Sequence, residues 1–228
     1  IKHKDGVNNN VLFSSYLAQN NSKDIQPLLL FFMNMNVING LDDTFYKNVT
    51  KALYKDAPKF KIWISYALRF LEISQIGISN EGNLLAFHNK YDENSFITDS
   101  IPFAIEEESE GTQKLIYLLG AVYDTLIHSK ILFIDELDSK LHPNLSKKLL
   151  QLFQEFNHKG AQFIFTAHDV NLLDKDILRR DQIWFVDRDR FGSSHLYSLS
   201  DFDAKVVRNS SDFRKKYLAS TFGAAEST

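Results

Sequence analysis

The chain has 228 residues, 44% of them apolar, with 26 basic and 29 acidic side chains and a formal net charge of −3. That is material for a sizeable domain with its own core, and a charge balance that excludes a global basic field for nucleic acid or an anionic membrane. The absence of cysteine excludes disulfides and thiolate metal sites and fits a reducing, cytoplasmic setting.

Residues 1–24 are polar and rich in Asn and Ser, with short apolar stretches only at Val11–Phe13 and Tyr16–Leu17; they read as a loop with one turn of helix. The chain opens Ile-Lys-His-Lys-Asp-Gly-Val, without an initiator Met and in turn-like sequence, which we read as an interior start. From Pro27, a favourable first-turn residue, Leu28–Met33 begins a helix expected to end near Gly40. This longest apolar run is far short of the roughly 20 residues that span a bilayer. Thr44 is a candidate cap for a helix over Phe45–Tyr54. Phe60, Trp63, Ile64, Ala67, Leu68 and Leu71 fall at helical spacing and define an amphipathic helix ending before Gly77. The first third is therefore expected to be mostly helical.

Ile76–Ile78 and Leu84–His88 read as short strands around a turn at Asn80–Asn83, and Ile97–Ile105 as a further strand broken by Pro102. After Gly111 the pattern alternates. Leu115, Leu118, Leu119, Val122 and Leu126 make one helix, and Ile131–Ile134 is a short, wholly apolar strand. Leu145, Leu149, Leu152, Phe153 and Phe156 make the next helix, with Pro143 in its first turn and Gly160 past its end. Phe163–Phe165 and Ile183–Val186 read as two more such strands. Helices alternating with apolar strands predict an α/β fold, a parallel sheet covered on both faces, with ligands at the carboxyl ends of its strands.

Three stretches carry chemistry. Asp135 and Glu136 follow directly on Ile131–Ile134 and so emerge at that carboxyl edge, in the pattern of a Walker B motif: an Asp that holds Mg²⁺ through water and a Glu that polarises the attacking water. Acids after a buried strand also serve as turn formers and caps. Thr166-Ala167-His168 ends the strand Phe163–Phe165 and places an imidazole on the same edge, where a structural role is the alternative. Glu108-Ser109-Glu110-Gly111-Thr112 precedes a helix, offering a hydroxyl, a close-approaching backbone and a positive dipole end to a phosphate. An N-cap with acids complementing the dipole is the alternative, and Glu106–Glu108 and Glu110 repel phosphate unless they point away. No Gly-x-x-x-x-Gly-Lys-Ser/Thr phosphate loop occurs in the 228 residues.

The phrases ESEGTQKL, ILFIDELDSKLHP and FIFTAHD, in this order and spacing, resemble the C-terminal half of an ATP-binding-cassette ATPase. Within that superfamily they are most similar to the OLD and RloA-like ATPases of bacterial defence, relatives of RecF and the SMC proteins. From first to last the motifs span residues 108–169, about a quarter of the chain; the terminal RKKYLASTFGAAE resembles the end of such proteins more loosely. By this resemblance Ser109 and Gly111 match the signature motif, which contacts the γ-phosphate of ATP held by the other subunit. Asp135 matches the Walker B aspartate, Glu136 the catalytic glutamate, Ser139–His142 the D-loop and His168 the switch histidine. Two departures stand out: Glu110 replaces the glycine of transporters, and neither Gln75 nor Gln113 makes a convincing Q-loop glutamine.

The resemblance implies an ATP- and Mg²⁺-dependent ATPase that dimerises head to tail around ATP and regulates a separate nuclease or toxin effector in anti-phage defence. Residues 1–75 would be a helical insertion lobe, residues 76–228 the C-terminal part of the ATPase domain, and Walker A would lie in sequence upstream. The alternatives are a RecF- or SMC-like DNA-repair ATPase, of which the SMC form is disfavoured by the lack of sustained heptads, and a non-hydrolysing scaffold. No membrane partner is expected, and nucleic acid stays open. Arg214-Lys215-Lys216 with Tyr217 reads as an exposed helix face or as a contact for nucleic acid or a partner.

Overall fold

The apolar run after Pro27 does not carry one helix to Gly40. In the computed structural model, which describes residues 25–42, 44–71, 73–202, 213–219 and 222, helix α1 (Gln26–Met33) stops at Asn34 and the chain continues as strand β1 (Met35–Asn39). Pro27 does sit in the first turn of α1, where its missing N–H costs nothing. In β1 Ile38 is buried while Val37 and Asn39 are exposed, the alternation of a strand, and pairing with a distant segment overrides local helical preference. The readings made for residues 1–24 lie outside the described residues.

Helices α2 (Thr44–Asp56) and α3 (Pro58–Ala67) follow, the latter burying Phe60, Trp63, Ile64 and Ala67 as their spacing predicts. The side chain of Thr44, the candidate cap, lies outside the description. Strands β2 (Gln75–Ile78), β3 (Leu84–Tyr91) and β4 (Ile97–Ala104) form an antiparallel sheet in that order. Pro102 does not break β4: it pairs opposite Phe87, and β4 is an edge strand, where a missing N–H is tolerated.

The main sheet is parallel, in the order β1-β5-β6, with β5 at Ile131–Asp135 and β6 at Gln162–Phe165. Helix α4 (Glu110–His128) precedes β5, and α5 (Pro143–Phe156) lies between β5 and β6. Ile38, Leu132 and Ile134 share one core with Leu115, Leu118 and Val122 of α4 and Leu149 and Phe153 of α5, and Phe163 and Phe165 pack against it. α2 crosses α4 at Gly120, where an added Cβ would lie 2.7 Å from Thr50 Cα. The Asn36 amide of β1 donates to Asp124 and Thr125 of α4, both at 2.9 Å. β1 is thus tied to the same helix as β5.

Two sequence expectations change here. The register places Val37, Phe133 and Ile164 together on the opposite face of the sheet, where Val37 is 62% and Ile164 46% exposed. Among the described residues the parallel sheet is covered on one face only. The run Ile183–Val186 joins a separate hairpin: β7 (Trp184–Arg188) pairs antiparallel with β8 (Ser194–Ser198). Its buried Phe185 joins a small second core with Ile183, Leu199, Phe213 and Phe222. Tyr217, on helix α6 (Phe213–Leu218), stacks on Phe185, and Arg214 donates to Asn171 at 2.9 Å. Among the described residues, no helix is long and apolar enough to cross a membrane.

Candidate functional site

Parallel pairing sends the ends of three strands to one edge. Asn39 pairs with Asp135, and Ile134 with Phe165, so Asn39–Gly40, Asp135–Glu136 and Thr166–His168 leave the sheet side by side. Thr166 joins two of these ends. Its hydroxyl donates to Asp135 Oδ1 at 2.5 Å and accepts the Glu136 N–H at 2.8 Å, using both capacities of one oxygen. The ladder runs on past the strands, with Thr166 N–H donating to Ile134 O and Leu137 N–H to Thr166 O, both at 3.0 Å. His168 is anchored next to them: its N–H donates to Asp138 Oδ2 at 3.0 Å. Asp138 Oδ1 is buried with no hydrogen-bond partner.

The third strand end was not foreseen, because its residues were expected to be helical. Gly40 N–H donates to Asp135 O at 2.7 Å, and a Cβ on Gly40 would collide with the backbone oxygens of Asp135 and Glu136. Only glycine fits there. The candidate Q-loop glutamines go elsewhere: Gln75 starts β2 in the antiparallel sheet, and the Gln113 amide donates to Glu108 O at 2.7 Å.

Residues 136–140 form a turn in which Glu136 (φ 53) and Lys140 (φ 61) are left-handed, an arrangement that non-glycine residues keep only where the surroundings impose it. Ser139 N–H closes the turn onto Glu136 O at 3.1 Å. Beneath it lies Lys114 of α4, 3% exposed. Its ammonium donates to the carbonyls of Ser139 at 2.6 Å, Leu137 at 3.2 Å and Glu136 at 3.3 Å. Burial pulls the Lys114 pKa down to about 8, opposed by Asp138 and Glu136 and assisted by Lys140. This residue escapes sequence reading: it looks like one polar position in an apolar helix.

Ser109 is the N-cap of α4, its Oγ accepting Thr112 N–H at 3.2 Å and lying 2.9 Å from Thr112 Oγ1. Its bonds thus stay within its own helical turn. Gly111 faces the other motif: an added Cβ would lie 2.8 Å from Lys140 O. The four acids around this helix start all have partners that draw them aside. Glu106 pairs with Lys47 at 2.8 Å, Glu107 accepts Ala104 N–H at 2.9 Å, Glu108 meets His88 Nε2 at 2.6 Å, and Glu110 lies 3.6 Å from Lys140. The bond to Lys47 lowers the pKa of Glu106, and the same bond raises that of Lys47. The first-turn amides of α4 are therefore not faced by an unpartnered carboxylate from any of these four residues.

The arrangement offers an acidic pair at a sheet edge with His168 held by its backbone on the adjoining strand end, and a capped helix start joined to the same turn. Comparison with known protein families places an AAA domain over most of the chain. Residues 8–174 match the family described as "AAA domain, putative AbiEii toxin, Type IV TA system". A solved structure from work on the structural biochemistry of ATP-driven dimerization and DNA stimulated activation of SMC ATPases is 15% identical, with a TM-score of 0.48; the match covers 82% of this chain and 100% of that one. No curated protein matches. With the family match spanning residues 8–174, most of the chain, this protein belongs to that AAA-domain family.

Proposed function

We propose that the chain binds and hydrolyses ATP, with Glu136 polarising the attacking water and His168 contacting the γ-phosphate. The observation that carries this reading is the Thr166 hydroxyl, which sets the Asp135 carboxylate and the Glu136 backbone from a second strand end, while Asp138 anchors His168 alongside. A pre-set acidic cluster at the carboxyl ends of parallel strands is where phosphoryl chemistry is placed. Asp135 fits magnesium: its carboxylate is exposed and singly bonded, and magnesium is held by one or two carboxylates with phosphate oxygens and water rather than by a protein cage. When bound, magnesium neutralises charge on the β- and γ-phosphates.

ATP binding on this reading also needs a phosphate loop, and no Gly-x-x-x-x-Gly-Lys-Ser/Thr run occurs in these 228 residues. Two copies close head to tail around ATP, and Ser109 and Gly111 of one subunit, with Ser139 near the junction, meet the nucleotide of the other. The partnered acids around Ser109 support an anion-facing role for that helix start. The closing and opening of this dimer regulates a separate nuclease or toxin effector in anti-phage defence. The description of the family, which names a toxin and a TA system, supports that setting.

The test is Glu136→Gln in the intact protein. Turnover falls by about 100-fold or more, and an ATP-bound dimer accumulates, seen by light scattering after size exclusion. Unchanged turnover overturns the reading.

A further inference from the structure

We propose that Lys114 is a positioning residue, holding the turn that carries Glu136 and Ser139 and fastening it to the helix that begins at Ser109. The inference rests on the reading of Glu136 as the hydrolytic carboxylate, and it adds a residue to which the resemblance assigns no role.

Lysine is among the side chains least often fully buried, and an ammonium out of water is disfavoured unless its hydrogens are matched. Lys114 is 3% exposed. Among the described residues it forms no ion pair; its three N–H groups are matched by three backbone carbonyls, those of Glu136, Leu137 and Ser139. An apolar residue of similar length would fill the volume at less desolvation cost. What it would not do is satisfy carbonyls that a tight turn directs inward, where water is excluded. The lysine is therefore explained by the turn and not by packing.

The turn needs holding. Glu136 and Lys140, at its two ends, are both left-handed without being glycine, a state that relaxes when its surroundings stop imposing it. Glu136 is the end that matters, because its backbone angle decides where its carboxylate points. Two further contacts join the same pair of elements: Gly111 lies against the Lys140 carbonyl, and Glu110 faces the Lys140 ammonium. The start of α4 and the 136–140 turn are thus braced at three places, with Lys114 the buried one. In a dimer whose Ser109 touches the partner's nucleotide, this brace joins that contact to the carboxylate serving the subunit's own nucleotide.

The experiment uses the intact protein with Lys114→Met, which keeps the stem and removes the donors, and Lys114→Arg, which keeps donors and charge. Hydrogen exchange is followed at the amides of Leu137, Ser139 and Leu141, alongside steady-state ATP hydrolysis. In Lys114→Met these amides exchange about 10-fold faster or more while β2–β4 is unchanged. In the same variant kcat falls about 10-fold or more with KM within about 2-fold, the signature of lost transition-state positioning. Lys114→Arg returns both to within about 3-fold of wild type. Should Lys114→Met fail to fold, Lys114→Gln, which retains a shorter donor, takes its place with the same expected direction. Wild-type exchange in the turn, or a kcat unchanged by loss of the donors, overturns the proposal. If Glu136→Gln turns over like wild type, the reading of Glu136 fails, and the role of Lys114 in hydrolysis fails with it; the exchange data show separately whether the lysine holds the turn.

Discussion

The hydroxyl of Thr166 donates to the carboxylate of Asp135 at 2.5 Å while accepting the N–H of the next residue, Glu136, at 2.8 Å. One oxygen on β6's strand end therefore fixes both the direction of an acid and the backbone of its neighbour. Thr166→Val keeps the branched shape and removes both bonds. Thr166 and Asp135 are exposed, so water replaces the lost partners and stability changes by less than about 1 kcal/mol. Geometry is not replaced. Turnover is expected to fall about 10- to 100-fold, with Thr166→Ser largely restored. The urea midpoint and the rate of phosphate release measure the two effects; equal loss in both would assign Thr166 to folding alone.

Gly111 and Ser109 separate packing from ligand contact. Glycine to alanine inside a helix ordinarily stabilises by about 1 kcal/mol. At Gly111 the sign reverses, because the new Cβ lies 2.8 Å from the backbone oxygen of Lys140, and a loss of about 1–3 kcal/mol follows. Ser109→Ala removes the cap on Thr112 N–H, which costs about 1 kcal/mol. If Ser109 also touches phosphate across the dimer, losing a hydrogen bond to a charged group weakens ATP-driven association by about 10-fold or more. Denaturant unfolding gives the first quantity and ATP-dependent sedimentation the second. A stability loss with undisturbed association would make Ser109 a cap and nothing else.

Local pattern predicts what depends on neighbours in sequence. The apolar strand before Asp135 places that acid at the sheet edge, Pro143 opens α5, and Ser109 caps α4, all as their sequence context indicates. The misreadings come from pairing across the chain. β1 follows α1 with only Asn34 between them, and its strand character arises from pairing with Ile131–Asp135. The run Ile183–Val186 carries no local mark separating a parallel core strand from half a hairpin, and the return through Asp189–Gly192 decides it. The site follows the same division. Asp135, Glu136 and His168 are legible from strand ends, and the structure brings those ends together. Thr166 matters through the register of Ile134 on Phe165, the partners of Glu106 and Glu108 sit on α2 and β3, and Lys114 depends on a turn 22 or more residues away folding over it.

Lys114 also predicts how stability depends on pH. Its pKa is about 8 in the folded chain against an ordinary 10.5. Between these values the unfolded chain binds more protons than the folded one, so stability rises with pH. The burial penalty is full below about 8 and is lifted as pH climbs toward 10.5. From about pH 7.5 to 9.5 the gain from this group is about 1–2 kcal/mol. Other groups titrate in the same range, and the buried tyrosines, whose pKa values burial raises, act in the opposite direction at the alkaline end. The difference between wild type and Lys114→Met isolates the lysine. Unfolding by urea at several pH values should show wild type gaining on the variant as pH rises. Parallel curves would mean that the ammonium keeps its ordinary pKa and that water reaches it beneath the turn.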